Sequence, residues 1–294
     1  MQEPQFVGIS LLPISLFGIV FNWTVTFIII KDKSISSPFM LLTVVKSFCD
    51  AVYLTVYFLY VTPMIVLANK FMIRYSGHAG YLLVVCYEIS IHTHFLTSLN
   101  RFSAVFFPFS YKITFSIRAT SIYLIVIAIF SFSMMTFVIY GLDCKLEYDP
   151  STWVAFYDVT IPVCGWYAYY ADFMKNVVVI LADAIIDIVT LLKVQKMRRQ
   201  FRDGKRADNY TKKEADFLKQ TFGQGICYLM GYASYLVVPA NSNKYVTFFM
   251  SLVSWALIAM IDGLFTIVYN SEIRTKIWKK QEATVGSTVV SVNN

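Results

Sequence analysis

The sequence predicts an all-α membrane protein folded as a seven-transmembrane helix bundle, and three observations carry that prediction. Of the 294 residues 57% are hydrophobic and 15% charged, with mean hydropathy +0.59, so the chain holds more apolar surface than a soluble core can bury. The apolar residues fall into seven stretches, each long enough as a helix to cross a hydrocarbon layer of ~30 Å. Lys and Arg crowd the connections on one side of those stretches.

The stretches cover residues 8–30, 38–67, 79–107, 119–141, 170–192, 215–238 and 245–269. No basic residue precedes the first, which is longer than a cleavable signal core and is therefore expected to persist as a signal anchor. Seven crossings place the two ends on opposite sides of the bilayer. With the N-terminus outside, the inner segments hold nineteen Lys and Arg, ten of them from Lys193 to Lys219. The outer segments hold five, at Lys70, Arg74, Lys145, Lys175 and Lys244. This asymmetry predicts an integral multi-pass protein with an extracellular N-terminus and a cytosolic C-terminus. The net charge of +7 then matches the anionic lipid of the inner leaflet, and no nucleic-acid partner is needed to explain it.

Residues 142–169 form the largest outer connection, and 193–214 read as helix extensions joined by a turn at Asp203-Gly204. After the seventh stretch, residues 270–280 set Ile273, Ile277 and Trp278 against Arg274, Lys276, Lys279 and Lys280, the pattern of a short amphipathic interfacial helix. Residues 1–280 thus make one membrane domain, and the polar residues 281–294 are expected to be a disordered cytosolic tail. Cys144 and Cys164 share the outer loop, where an oxidising compartment permits a disulfide. Cys86 lies about two turns into the third stretch and competes for either partner, so spacing leaves the pairing open.

Ionisable groups inside a bilayer are costly, and here they comprise Lys46, Asp50, Glu88, His92, His94, Asp183, Asp187 and Asp262. Lys46 and Asp50, four residues apart, share a helix face and neutralise each other. Glu88 stands thirteen residues before Arg101, about 20 Å toward the outside, at the depth of a small-molecule pocket. Leu83 and Tyr87 adjoin it, and Asp172, Tyr232, Tyr235 and Trp255 are the expected contributions from other helices: an aromatic pocket with one or two acids, suited to an amine or small polar odorant. The competing reading pairs Glu88 with His92, one turn away, and leaves the ligand elsewhere. His92 and His94 point apart on a helix, and neither a phosphate-binding Gly loop nor a nucleophile elbow occurs, so neither an enzyme nor a cofactor is expected.

Arg101 sits where the third stretch meets the cytosol. A guanidinium there must find water, an acid or a partner protein, and exchange among these makes a two-state switch. The plain alternative is an arginine that snorkels to anchor the helix end. The flanking Asn100, Pro108 and Tyr111 favour the switch.

The run Leu99-Asn100-Arg101-Phe102, followed by Phe107-Pro108 and Tyr111, resembles that of the nematode serpentine chemoreceptors of class x, Srx-type seven-transmembrane G-protein-coupled receptors. Further matches are Asn22 after Gly18, Cys144 and Cys164, Trp166-Tyr167 with Asp172, Asp187-Ile188-Val189-Thr190, and Asp262-Gly263 with Asn270 to Arg274. The resemblance implies a rhodopsin-like bundle that binds a small environmental molecule from outside and activates a heterotrimeric G protein. It places the receptor in the plasma membrane or a sensory cilium and leaves receptor dimers open.

The chain departs from the wider rhodopsin-like pattern at Asn100, where an acid would ordinarily restrain the arginine. Asp187, Glu214 and Asp216 are the candidates for that restraint, although Glu214 and Asp216 also balance Lys212, Lys213 and Lys219 on a solvated face. Asn22, Asp50 and Asp262 resemble the polar cluster that hydrates sodium in related receptors, but Lys46 would displace the cation, so the expectation is a structural and switching network without sodium. Asp262-Gly263 stands where relatives carry Asp- or Asn-Pro, and Gly223, Gly225 and Gly231 replace a proline hinge in the sixth stretch, as flexible or close-packing positions. Rival readings are a seven-helix ligand-gated channel or transporter, and a non-signalling partner subunit.

Overall fold

The computed structural model describes residues 3–31, 35, 37–200, 205–237 and 243–277. Among them stand seven long helical segments: α1 (Gln5–Lys31), α2 (Pro38–Leu67), α3 (Ser76–Phe106), α4 (Ile117–Gly141), α5 (162–200), α6 (Lys205–Val237) and α7 (Lys244–Tyr269). A short helix α8 occupies 271–277. Local chemistry sets several boundaries. Ser37 accepts from the Met40 amide (3.3 Å) ahead of Pro38, and Ser116 accepts from Ala119 (3.1 Å), each a side-chain N-cap. Asn270 ends α7 in extended backbone and its Oδ1 accepts from Glu272 and Ile273, so one residue stops one helix and starts the next.

The helices close into a ring in which α1 packs on α2 and α7, α5 on α6, and α6 on α7, while α3 runs through the middle against α2, α4 and α5. Apolar side chains such as Ile125, Ile129 and Phe130 of α4 and Val178, Leu181 and Ile185 of α5 are exposed on the outside of the ring. In water such a surface would drive aggregation; in hydrocarbon it is the expected finish. On the predicted apolar side of α8, Ile273 and Ile277 pack with Val25, Ile29, Phe39 and Met40. Trp278, Lys279, Lys280 and the tail 281–294 lie outside the described residues.

The helical bundle carries one small addition in the outer connection. The connection 142–169 holds an antiparallel hairpin, β1 (Leu146–Asp149) paired with β2 (Val154–Tyr157). Its turn is held by the Asp149 carboxylate, which accepts from Ser151 and Thr152, and by Trp153 in the left-handed region at φ 62°. So bulky a residue is strained there, and tertiary contact compensates: Trp153 is buried edge-on against Tyr245, with the Lys244 ammonium over its ring. The hairpin also lies directly on α3. The Tyr148 amide donates to Ser76, and a Cβ on Gly80 would collide with the Leu146 carbonyl oxygen. Cys144 and Cys164 are joined as a disulfide, while Cys86 stays buried and reduced in α3.

Extensions of α5 to Gln200 and of α6 back to Lys205 lengthen both beyond the apolar stretches, because those turns carry charge that only lies outside the hydrocarbon. Four segments near the hairpin end, Tyr57–Val61, Phe137–Gly141, Tyr167–Met174 and Phe249–Val253, widen to i→i+5 turns. Such wide turns re-aim side chains at functional sites, and three of these four contribute to the cavity described next.

Candidate functional site

Under the hairpin lies a cavity of about 150 Å³. Its walls are Tyr53 and Tyr57 of α2, Leu83 and Tyr87 of α3, Asp172 and Phe173 of α5, Tyr232 of α6 and Trp255 of α7, with Leu146, Ala155 and Tyr157 of the hairpin over them. The Tyr87 and Tyr232 hydroxyls hydrogen-bond to each other, and both rings meet Trp255 edge-on with centroids 5.1 Å apart. Of the seven pocket residues expected from sequence, Leu83, Tyr87, Asp172, Tyr232 and Trp255 line this space. Glu88 does not; it is buried beside the cavity floor. The side chain of Tyr235 lies outside the described residues.

Glu88 has a partner that the sequence reading assigned to the outer loop. Lys175 Nζ lies 2.5 Å from Glu88 Oε2 across the α3–α5 seam. Asn176 then donates both to Glu88 Oε1 (3.2 Å) and to Asp172 Oδ1 (3.0 Å), joining the two acids. His92 is close as well, 3.6 Å from Glu88 Oε2, but its ring nitrogen makes the shorter approach to the Glu88 carbonyl at 2.7 Å. Lys175 could have been found: it falls within the stretch 170–192, three residues after Asp172 and hence on the same side of a helix.

Deeper in the bundle, Lys46 lies 3.2 Å from Asp50 Oδ2 and is also ion-paired with Asp262 of α7. Ser90 donates to Asp50 Oδ1 (2.7 Å), Tyr228 donates to Asp262 Oδ2 (3.3 Å), and the Lys46 ammonium lies 5.4 Å from the Tyr228 ring centroid. The buried ammonium lies between two carboxylates, each with a further hydroxyl donor, which offsets part of the desolvation cost of these charges; among the described residues Asp262 Oδ1 has no hydrogen bond. The adjoining void measures about 10 Å³, room for one water. Asn22 does not enter this triad. Its amide donates to the Ala259 and Gly18 carbonyls, and a Cβ on Gly263 would meet it at 2.8 Å. Gly263 is thus a close-packing position, as are Gly223 and Gly231, whose missing Cβ leaves room for Phe265 and Ile258.

Toward the opposite end, His94 Nε2 stands 3.0 Å from Asp183 Oδ2, off the hydrogen-bond direction, and Asp187 is buried one turn further along α5. Arg101 is buried with its guanidinium 3.7 Å over the Phe39 ring. Asn100 donates to the Tyr111 hydroxyl (3.3 Å), tying α3 to the short helix Pro108–Thr114, and Phe102 stacks on Phe106. On that short helix Phe109 is 96% exposed and Ile113 81%. Glu214 and Asp216 belong to α6, and their side chains lie outside the described residues.

The family model described as "Serpentine type 7TM GPCR chemoreceptor Srx" matches residues 12–270. The chain belongs to the Srx family of serpentine receptors. This Srx chain is 26% identical to "Serpentine receptor class X 45" of Caenorhabditis elegans over 282 residues, covering 89% of the chain and 77% of the relative. It is 22% identical to "Serpentine receptor class X-43" of the same organism over 226 residues, covering 73% and 69%. Its fold is similar to the crystal structure of squid rhodopsin, with TM-score 0.75 and 16% identity over 96% of this chain and 86% of that one. This Srx chain is therefore an integral membrane protein of the G-protein-coupled receptor type, with a rhodopsin-like helix bundle.

Proposed function

We propose that this protein is a chemosensory receptor: a small molecule enters the hairpin-covered cavity from outside the cell, and a heterotrimeric G protein is activated at the Arg101 end. The observation that carries this reading is the layout of buried polar groups. Below the cavity stand Glu88 with Lys175, then Lys46 with Asp50 and Asp262, then His94 with Asp183, and finally Arg101. Ion pairs between helices have discrete alternative partners, so a ligand that favours one arrangement at the cavity shifts the population at the far end.

The hairpin side is then the outer face, in keeping with its disulfide. At the inner face Arg101 leaves its stacked position on Phe39 as α5 and α6 shift, and the partner meets Arg101, the exposed Phe109 and Ile113, and the basic residues of the third inner loop. Asp187 is the restraint best supported by position, since it is buried within the bundle on the α5 stretch facing α3. A pore is less well supported: the void at mid-bundle is one water wide and is stopped by the Lys46 ammonium. The test is G-protein activation in cells displaying the receptor, with wild type set against Asp187→Asn. Raised basal signalling supports the restraint; a transmembrane current that persists with G proteins blocked would replace the receptor reading with a channel.

A further inference from the structure

We propose that the cavity selects a compact monoamine, about one aromatic ring in size, whose ammonium is held by Asp172. The inference rests on the reading of this cavity as the receptor's ligand site and adds the chemical class.

Size comes first. The volume of about 150 Å³ matches that of apolar protein cavities that take up benzene, so the occupant has about the bulk of one ring and a short substituent. A long-chain amine, a peptide or a nucleoside exceeds it.

Charge comes second. Two carboxylates, Glu88 and Asp172, meet at the floor, joined through Asn176. Lys175 pairs with Glu88 at 2.5 Å, and His92 also lies on the Glu88 side. Among the described residues Asp172 accepts the neutral amide of Asn176 at its Oδ1, and it lines the cavity where Glu88 does not. Among the described residues the Asp172 carboxyl at the floor has no ion-pair partner, and it stands next to the empty space. A monocation balances it. A second ammonium would find Glu88 already taken, and an anion would be repelled by both acids.

The walls agree. Tyr57, Tyr87, Phe173, Tyr232 and Trp255 surround the space, and aromatic faces attract a cation as well as a ring. The Tyr87 and Tyr232 hydroxyls share one hydrogen bond, and Asp172 is the charged anchor among the lining residues. The hairpin residues Leu146, Ala155 and Tyr157 line the outer side of the space.

The experiment is thermal unfolding of the full-length receptor in lipid nanodiscs, titrated with benzylamine, its neutral isostere benzyl alcohol, and benzoate. Benzylamine is expected to raise the unfolding temperature, benzyl alcohol to bind at least roughly tenfold more weakly, and benzoate to have no effect. Asp172→Asn is expected to weaken benzylamine by roughly tenfold to a hundredfold and leave benzyl alcohol unchanged, while Leu83→Phe, which fills the cavity, removes both. Equal binding of benzylamine and benzyl alcohol to the wild type overturns the proposal without any variant, as does a folded Asp172→Asn that binds benzylamine unchanged. Benzylamine binding with no G-protein activation keeps the amine site and retires the signalling reading. A neutral probe that binds and activates through the same cavity keeps the signalling reading and retires the amine.

Discussion

Lys46→Met removes the ammonium from between Asp50 and Asp262 while roughly preserving the length of the side chain. Two carboxylates then share one dry site. At 3.2 Å and an effective dielectric of ~20, the Lys46–Asp50 attraction alone is about 5 kcal/mol. Ser90 and Tyr228 remain to solvate the acids, and one carboxyl can take up a proton, which returns part of that loss. A net destabilisation of about 3–5 kcal/mol follows, the range for breaking a buried pair from one side. For a chain of 294 residues this corresponds to roughly 5–8 °C in unfolding temperature. Thermal unfolding of the purified receptor in nanodiscs measures it, in sodium chloride and in choline chloride. The wild type should unfold at the same temperature in both salts, because the ammonium already fills the cation's place. Lys46→Met should recover stability in sodium, and adding Asp262→Asn should recover most of it in either salt. A Lys46→Met variant within about 1 °C of wild type would refute the reasoning, since a change that small belongs to a surface substitution. So would a wild type whose stability rises with sodium as steeply as that of the variant.

Other consequences follow from the same geometry. Lys175→Ala leaves the buried Glu88 with the Asn176 amide and His92 as its partners, at a cost of about 1–3 kcal/mol, and surface expression should fall; Lys175→Ala with Glu88→Gln should restore it, as read by surface labelling. Gly263→Ala drives a methyl onto the Asn22 amide and should cost about 1–3 kcal/mol in thermal unfolding, with the Asn22–Ala259 bond lost. Cys164→Ser should destabilise by about 2–5 kcal/mol, and a reducing agent should do the same to wild type and nothing further to the variant. In the hairpin turn burial alone would raise the Asp149 carboxyl, but donors from Ser151 and Thr152 outweigh it and hold Asp149 below the ordinary 3.8. Its contribution is therefore fully present above that pH and is lost as the pH falls through the lowered value, so amide-exchange protection of 146–157 should hold in mild acid and fail in strong acid.

Among the described residues α1 to α4 and α7 were legible as long apolar runs, because a membrane makes length and hydropathy nearly sufficient, whereas α5 and α6 carry charged extensions and were legible only by their apolar middles. The hairpin was not legible. Leu146–Asp149 and Val154–Tyr157 are four-residue strands with no Gly in the turn, and what stabilises them is distant in sequence: Gly80 and Ser76 on α3, and Tyr245 on α7. The cavity was legible in part because Leu83, Tyr87, Asp172, Tyr232 and Trp255 follow from depth along their helices. Tyr53, Tyr57 and Phe173 were missed; Tyr57 and Phe173 fall in the wide turns Tyr57–Val61 and Tyr167–Met174, whose side-chain directions a regular 3.6-residue period does not foresee. Charge counting misled once. Lys175 scores as an outer-loop cation by position and is in fact the partner of Glu88, a distinction made by packing across α3 and α5.

The most direct test of the central claim is nucleotide exchange on heterotrimeric G proteins in membranes displaying the receptor at matched surface levels, with benzylamine and neutral volatiles as probes. Wild type is compared with Arg101→Ala, which alters the proposed switch, and Phe109→Ala, which removes the exposed apolar contact. The account predicts probe-evoked exchange in the wild type, loss of it in both inner-face variants, and unchanged probe binding in all three. Exchange that survives in both variants, or a probe-evoked current that persists when the G proteins are blocked, would contradict it.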